Sequence, residues 1–163
     1  MKYIISIPFN IKLMKIVICG SIDFTSKIKE VADILSEQGH EVDIPLTSQR
    51  IINGELTLKK FLNEKNKNGY GVFRKNVMKK VKDDVIKHHY HKIKESDSIF
   101  VLNLEKKGVA NYIGGNTFLE MGFAHVLNKA IYLYNDIPNL SYTDEITTMQ
   151  PVILDGDLFK IKQ

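Results

Sequence analysis

Met14-Lys15-Ile16-Val17-Ile18-Cys19-Gly20-Ser21 is the stretch that decides the fold class of this chain. Its apolar residues run on without alternation and stop at a glycine and a hydroxyl. A strand of this kind suits burial on both faces, in a parallel sheet covered by helices. The next segment, Thr25 to Gly39, sets Ile28, Val31, Ala32 and Leu35 at helical spacing, with Thr25 or Ser26 as cap and Gly39 as stop. Val42-Asp43-Ile44-Pro45 reads as a second strand that Pro45 ends. Strand, loop, helix, strand is how an open α/β sheet with right-handed crossovers begins.

Further along, Ser98–Leu102, Ile131–Tyr134 and Pro151–Leu154 supply three more short apolar runs. Thr117 to Asn128 has helical spacing, with Leu119, Phe123, Ala124 and Leu127 expected inward. Residues 46–70 are the least regular, with Asn53-Gly54 and Asn68-Gly69 as turn signals around a short helix from Leu56 to Glu64. A long helix is predicted from about Gly71 to Lys94, with Phe73, Val77, Val81, Val85 and Ile86 on one stripe. The expected fold is therefore α/β: a Rossmann-like open parallel sheet of about five strands, helices on both faces, flavodoxin-like in order, in a single domain over residues 14–163. Ligands of such sheets sit beyond the carboxyl ends of the strands, where the strand order reverses. That rule points to the loops 20–26, 103–116 and 135–143.

Composition narrows the function classes. The 163 residues carry 23 Lys+Arg against 19 Asp+Glu, a net charge of +4, which falls short of the basic stripe that nucleic acid binding asks for. The lysines Lys75, Lys79, Lys80, Lys82 and Lys87 read as a solvated helix face, since no aromatics interleave with them. One Cys excludes a disulfide framework, and no apolar run approaches the ~20 residues of a membrane span. In residues 1–13, Pro8 and Asn10 interrupt the apolar pattern and no cleavage-site signature follows. This segment is expected to be a dispensable extension, with an extra edge strand as the rival, and the protein is expected in the cytoplasm without a membrane partner.

Two loops carry the chemistry. Gly20-Ser21-Ile22-Asp23-Phe24-Thr25-Ser26 offers a close backbone approach at Gly20, then hydroxyls and free N–H groups that can hold an anion; the plainer reading is an ordinary strand-to-helix turn. In the second, Gly114-Gly115-Asn116-Thr117 runs into a helix start, and Glu120 falls in the expected first turn. There the helix dipole favours an ionised carboxylate. The rival is a capping box, Thr117-x-x-Glu120, with no chemistry at all. In His88-His89-Tyr90-His91 only His88 and His91 have the spacing of a metal pair, and no third ligand is nearby, so neither metal nor cofactor is expected. Cys19, at the end of a buried strand, reads as packing, with a site-facing thiol as the rival.

The motif Gly114-Gly115-Asn116-Thr117-x-x-Glu120-x-Gly122-x-Ala124, after a strand opened by Asp97 and before Lys129-x-Ile131, resembles the nucleoside 2-deoxyribosyltransferase family. Cys19-Gly20-Ser21-Ile22 looks like the opening of the related 2'-deoxynucleoside 5'-phosphate N-hydrolases. The likeness spans about residues 14–135. It implies that Glu120 attacks the anomeric carbon and forms a glycosyl ester, which water or a second base resolves. It further implies substrate contacts from Gly20, Ser21, Phe24, Asp97, Asn103, Gly114, Gly115, Asn116 and Thr117. A homo-oligomer is implied as well, whose neighbour reaches the site through Thr143 to Asp157. The family's supporting Tyr and two Asp residues match Val17, His89 and Gly114 here, so His89 becomes the candidate acid/base.

Two functions follow as expectations. One is cleavage or transfer of the N-glycosidic bond of a small nucleoside or nucleotide, with Glu120 and His89 as catalytic residues. The other is a nucleotide-binding or sensor domain without turnover on the same scaffold.

Overall fold

The computed structural model describes the backbone of residues 13–77 and 85–161 and the side chains of residues 13–67 and 85–161. Strands β1 (Lys15–Gly20), β2 (Glu41–Asp43), β3 (Ser98–Leu102), β4 (Ala130–Leu133) and β5 (Val152–Ile153) form one parallel sheet, ordered β2-β1-β3-β4-β5. This is the expected Rossmann-like architecture in flavodoxin-like order. The order reverses between β1 and β3, so the switch point lies beyond Gly20 and Leu102, which are paired in register. Helices α1 (Thr25–Glu37), α2 (Leu46–Ile52), α3 (Leu58–Val77), α4 (Val85–Lys94), α5 (Gly115–Val126) and α6 (Thr143–Thr148), with short 3-10 turns at Ile22–Phe24 and Leu158–Lys160, complete the described elements.

The alternation of strand side chains sorts β1 between two cores. Ile16 and Ile18 pack with Ile28, Val31 and Leu35 of α1 and with Leu154 and Leu158 near the carboxyl end. Val17 and Cys19 face the other way, into a core with Ile93 of α4, Met121 and Ala124 of α5, and Ile146 of α6. All four of Ile16, Val17, Ile18 and Cys19 are fully buried, and each isoleucine so buried stabilises the fold by roughly 1.5–3 kcal/mol. No helix among the described residues is long and apolar enough to cross a membrane.

Several local expectations need correction. The second strand stops at Asp43, before Pro45, and Pro45 instead takes the cap position of α2, over a segment expected to be irregular. The turn expected at Asn68-Gly69 and the break before Gly71 are absent, because α3 runs through both positions without interruption. Glycine costs a helix only about 1 kcal/mol, which packing can override. The expected stripe positions Phe73, Val77 and Val81 lie outside the described side chains, and so do Lys75, Lys79, Lys80 and Lys82. On α4 the inward residues are His89 and Ile93, while Ile86 is 44% exposed. On α5 the inward row is Thr117, Met121 and Ala124, and Leu119 is 41% exposed. Residues 1–12 of the expected extension also lie outside the described residues; Leu13 is exposed.

Two glycines suit the positions they hold. Gly39 takes φ 95° at the end of α1, a conformation that side chains rarely adopt. At Gly20 a Cβ would come within 3.1 Å of the Leu102 carbonyl oxygen, so a side chain there would push β1 and β3 apart by a few tenths of an ångström at the switch point.

Candidate active site

A cavity of about 490 Å³ opens at the switch point. Its walls come from the loop after β1 (Gly20, Ser21), the start of α2 (Leu46 to Ser48), α4 (His88, His89), and the segment from Lys106 to Glu120. Glu120 and His89 meet there because α4 and α5 cover the same sheet face and turn their inward rows towards each other. Glu120 Oε1 lies 3.6 Å from His89 Nε2. Cys19 Sγ, the last inward side chain of β1 on that face, lies 3.5 Å from the same nitrogen.

Burial sets the protonation of this group. It pushes the Glu120 carboxyl up to about 8, against a smaller opposing effect of the hydrogen bond with Cys19. It pushes the His89 imidazole down to about 4, helped by the positive charge of Lys92 and opposed by the smaller effect of Asp43. Burial also raises the Cys19 thiol, and the neighbouring Glu120 raises it further. Burial therefore disfavours the charged form of both the carboxyl and the imidazole.

Glu120 was expected to be ionised by a helix dipole, and this is reversed. The helix begins at Gly115 with Gly114 as its cap position, so Glu120 sits in the second turn, beyond the reach of the unpaired N–H groups. The same start disposes of the capping box. Thr117 lies inside the helix and is buried rather than capping it.

The remaining candidates divide. Gly20, Ser21, Gly114, Gly115, Asn116 and Thr117 all line the cavity. Phe24, Asp97 and Asn103 do not. Phe24 is buried in the α1 core. Asp97 precedes β3, at the far end of the sheet, where it accepts a hydrogen bond from the Lys15 N–H at 2.7 Å. Asn103 is fully buried and works as a latch: its Oδ1 accepts from the Asn135 N–H, and its Nδ2 donates to the Asn135 and Asp136 carbonyls. The loop 135–143 is thereby tied down and contributes nothing to the cavity wall.

Other wall residues were not singled out in the sequence. Lys106 donates to Ser21 Oγ at 2.7 Å and pairs with the Asp23 carboxylate, bridging the two chemistry-bearing loops. Its ammonium also lies 5.4 Å from the centre of the Tyr112 ring. Burial pushes Asp23 up, but the hydrogen bonds from Lys106 and Ser21 outweigh it, and the carboxyl ends below its ordinary value. The loop carrying Lys106 is shaped by left-handed backbone at Lys107, Gly108 and Asn111. Glycine-bearing turns are legible in a sequence, but the partner of a loop lysine is not.

His88 lines the cavity, and His91 stacks edge-on against Tyr90. Among the described residues, the group with the donors of a metal site is instead Cys19, His89 and Glu120. Searches of protein-family models, curated proteins and solved structures each return no match to this chain.

Proposed function

We propose that the protein cleaves or exchanges the N-glycosidic bond of a nucleoside or nucleotide, with Glu120 as nucleophile and His89 as its proton partner. The observation that carries this reading is the approach of Glu120 Oε1 to within 3.6 Å of His89 Nε2 beside a cavity large enough for a nucleotide-sized ligand. The carboxyl proton that burial favours on Glu120 balances the reaction. As a Glu120 oxygen forms its bond to the anomeric carbon, the carboxyl proton passes to His89 Nε2, and the bond to the base nitrogen breaks. His89 then delivers the proton to the departing base, leaving a glycosyl ester on Glu120 and a neutral imidazole. Water resolves the ester into free sugar and the protonated carboxyl, restoring the starting state; a second base in place of water gives exchange.

Ser21, Lys106 and the start of α5 line the cavity, and their donors support a 5'-phosphate as part of the ligand. The carboxyl's neighbours here are Cys19 and His89, while Val17, the counterpart of the family's tyrosine, lies fully buried in the core. A protonated Glu120 also favours a second reading, a nucleotide-binding domain in which the carboxyl donates a hydrogen bond and no turnover occurs. Incubation with a panel of nucleosides and 5'-nucleotides, followed by chromatography of free base, decides between them. Base release that vanishes in Glu120→Gln supports the enzyme. Ligand-induced melting shifts without any release support the binding domain.

A further inference from the structure

Three elements converge on one point with three different donor atoms. Cys19 Sγ comes from β1, His89 Nε2 from α4 and a Glu120 carboxylate oxygen from α5, and all lie within 4.8 Å of one another. The sulfur is 3.5 Å from the nitrogen, and the nitrogen is 3.6 Å from Oε1. Tetrahedral zinc, with bonds of about 2.3 Å to sulfur, about 2.0–2.1 Å to nitrogen and about 2.0–2.2 Å to oxygen, spaces its ligands about 3.4–3.6 Å apart. Two edges of the ligand triangle therefore already have the length that the ion imposes. The third pair, Cys19 Sγ and the Glu120 carboxylate oxygen, also lies within 4.8 Å, and the Glu120 side chain borders the cavity and is 18% exposed.

We propose that Cys19, His89 and Glu120 form a three-ligand site for one Zn²⁺ ion, with its fourth position open to the cavity. The charges close. A thiolate and a carboxylate balance the dication, so the buried complex is neutral. On binding, the thiol and the carboxyl each release a proton to solvent as the Zn–S and Zn–O bonds form, and Nε2 of the neutral imidazole donates its lone pair. No electron is transferred. Three protein ligands with one open position make an exchangeable site rather than a closed structural one. One consequence rests on the function proposed above: bound zinc engages both Glu120 and His89, so zinc and glycosidic cleavage exclude each other.

The test adds Co²⁺ to the full-length protein after dialysis against a chelator. The expected result is binding of one equivalent, with a near-ultraviolet sulfur-to-cobalt charge-transfer band and the intense visible bands of a tetrahedral ion; Zn²⁺ displaces it. Cys19→Ser abolishes the charge-transfer band. Glu120→Gln, at the cavity wall, weakens binding by more than about tenfold, since losing even an outer-shell partner costs about 10–100-fold. His91→Ala, away from the site, leaves the spectrum unchanged. A wild-type protein without the charge-transfer band, or one whose cobalt spectrum survives both Cys19→Ser and Glu120→Gln, overturns the site. The two proposals fail separately. A cobalt band with no base release from any compound upholds the metal site and removes only the glycosidic reading. Base release from a protein that shows no cobalt band removes the metal site alone.

Discussion

His89 Nε2 stands between two side chains that the sequence keeps far apart, 3.6 Å from the Glu120 carboxylate and 3.5 Å from the Cys19 thiol. Each comes from a different element, and His89 and Glu120 border the cavity at the switch point. The imidazole is thus the natural acceptor for any proton that Glu120 gives up. If Glu120 is the nucleophile, Glu120→Gln lowers base release by more than about 10³-fold while the fold is retained, because removing a nucleophile costs orders of magnitude in rate. Single-turnover chromatography of the free base measures this, with circular dichroism as the check on folding. Full activity in the variant sinks the mechanism.

The same pair gives a pH signature in stability. Folded Glu120 keeps its proton up to about 8, whereas the unfolded carboxyl loses it near 4.5. Folded His89 stays neutral down to about 4, whereas the unfolded imidazole gains its proton below 6.5. Between pH 4.5 and 6.5 the two effects cancel, since folded and unfolded chains each hold one proton on the pair. Above 6.5 only the folded chain holds one, so the pair's contribution falls as pH rises towards 8, by about 2 kcal/mol. Melting temperatures of wild type and Glu120→Gln should diverge in slope over that range, the wild type falling and the variant staying flatter. Parallel curves from pH 6.5 to 8 exclude a protonated carboxyl.

Lys106 and Asp23 make a pair of opposite predictions. Lys106→Met should weaken binding of 5'-nucleotides about tenfold or more, the value of a lost charge-assisted hydrogen bond, with a smaller effect on nucleosides. Asp23→Asn removes the carboxylate that now holds the ammonium and should tighten nucleotide binding. Calorimetric titration of nucleoside and nucleotide against both variants reads the contrast. Equal losses for the two ligand types would mean that Lys106 only fastens the loops together.

Asn103→Ala should act on stability rather than on ligands. It deletes one accepted and two donated hydrogen bonds and leaves the Asn135 N–H without its partner in a buried latch. The expected loss is about 2–4 kcal/mol, seen in urea unfolding, with ligand affinity within about twofold of wild type. A large change in affinity without a change in stability would return Asn103 to the site.

The sheet was legible because its strands are continuous apolar runs, a signal that survives without knowledge of tertiary contacts. Ser98–Leu102 has the bounds read from the sequence, and the other strands shift by a residue or two. In the region 46–77, helix was legible over 58–64 and from Gly71, but the helix α2 and the continuity of α3 were not, since Asn68-Gly69 carries turn chemistry that α3 overrides. At the site, the Gly114-Gly115 turn was legible as the approach to a helix. Its start at Gly115 rather than Thr117 was not, and that shift of two residues removes both the cap and the dipole from Glu120. A dipole argument is local, whereas the burial that raises the Glu120 carboxyl involves α4 and β1, whose contact with it no spacing encodes. Lys106 was hidden for the same reason: its partners Ser21 and Asp23 are 85 and 83 residues away.

The pairing of β1 with β3 also bears on how the chain is made. Lys15 and Asp97, joined where the two strands begin, are 82 residues apart. On the ribosome, β1 therefore emerges with its β3-facing edge bare and stays so until β3 leaves the exit tunnel. An apolar strand with an open edge is the usual template for wrong pairing between chains. Non-local closure of this sort also slows folding, because the loop entropy is spent before the contacts form. During synthesis the interval between these two strands is the period in which nascent chains are most open to aggregation, and slower elongation between residues 20 and 98 would lengthen it.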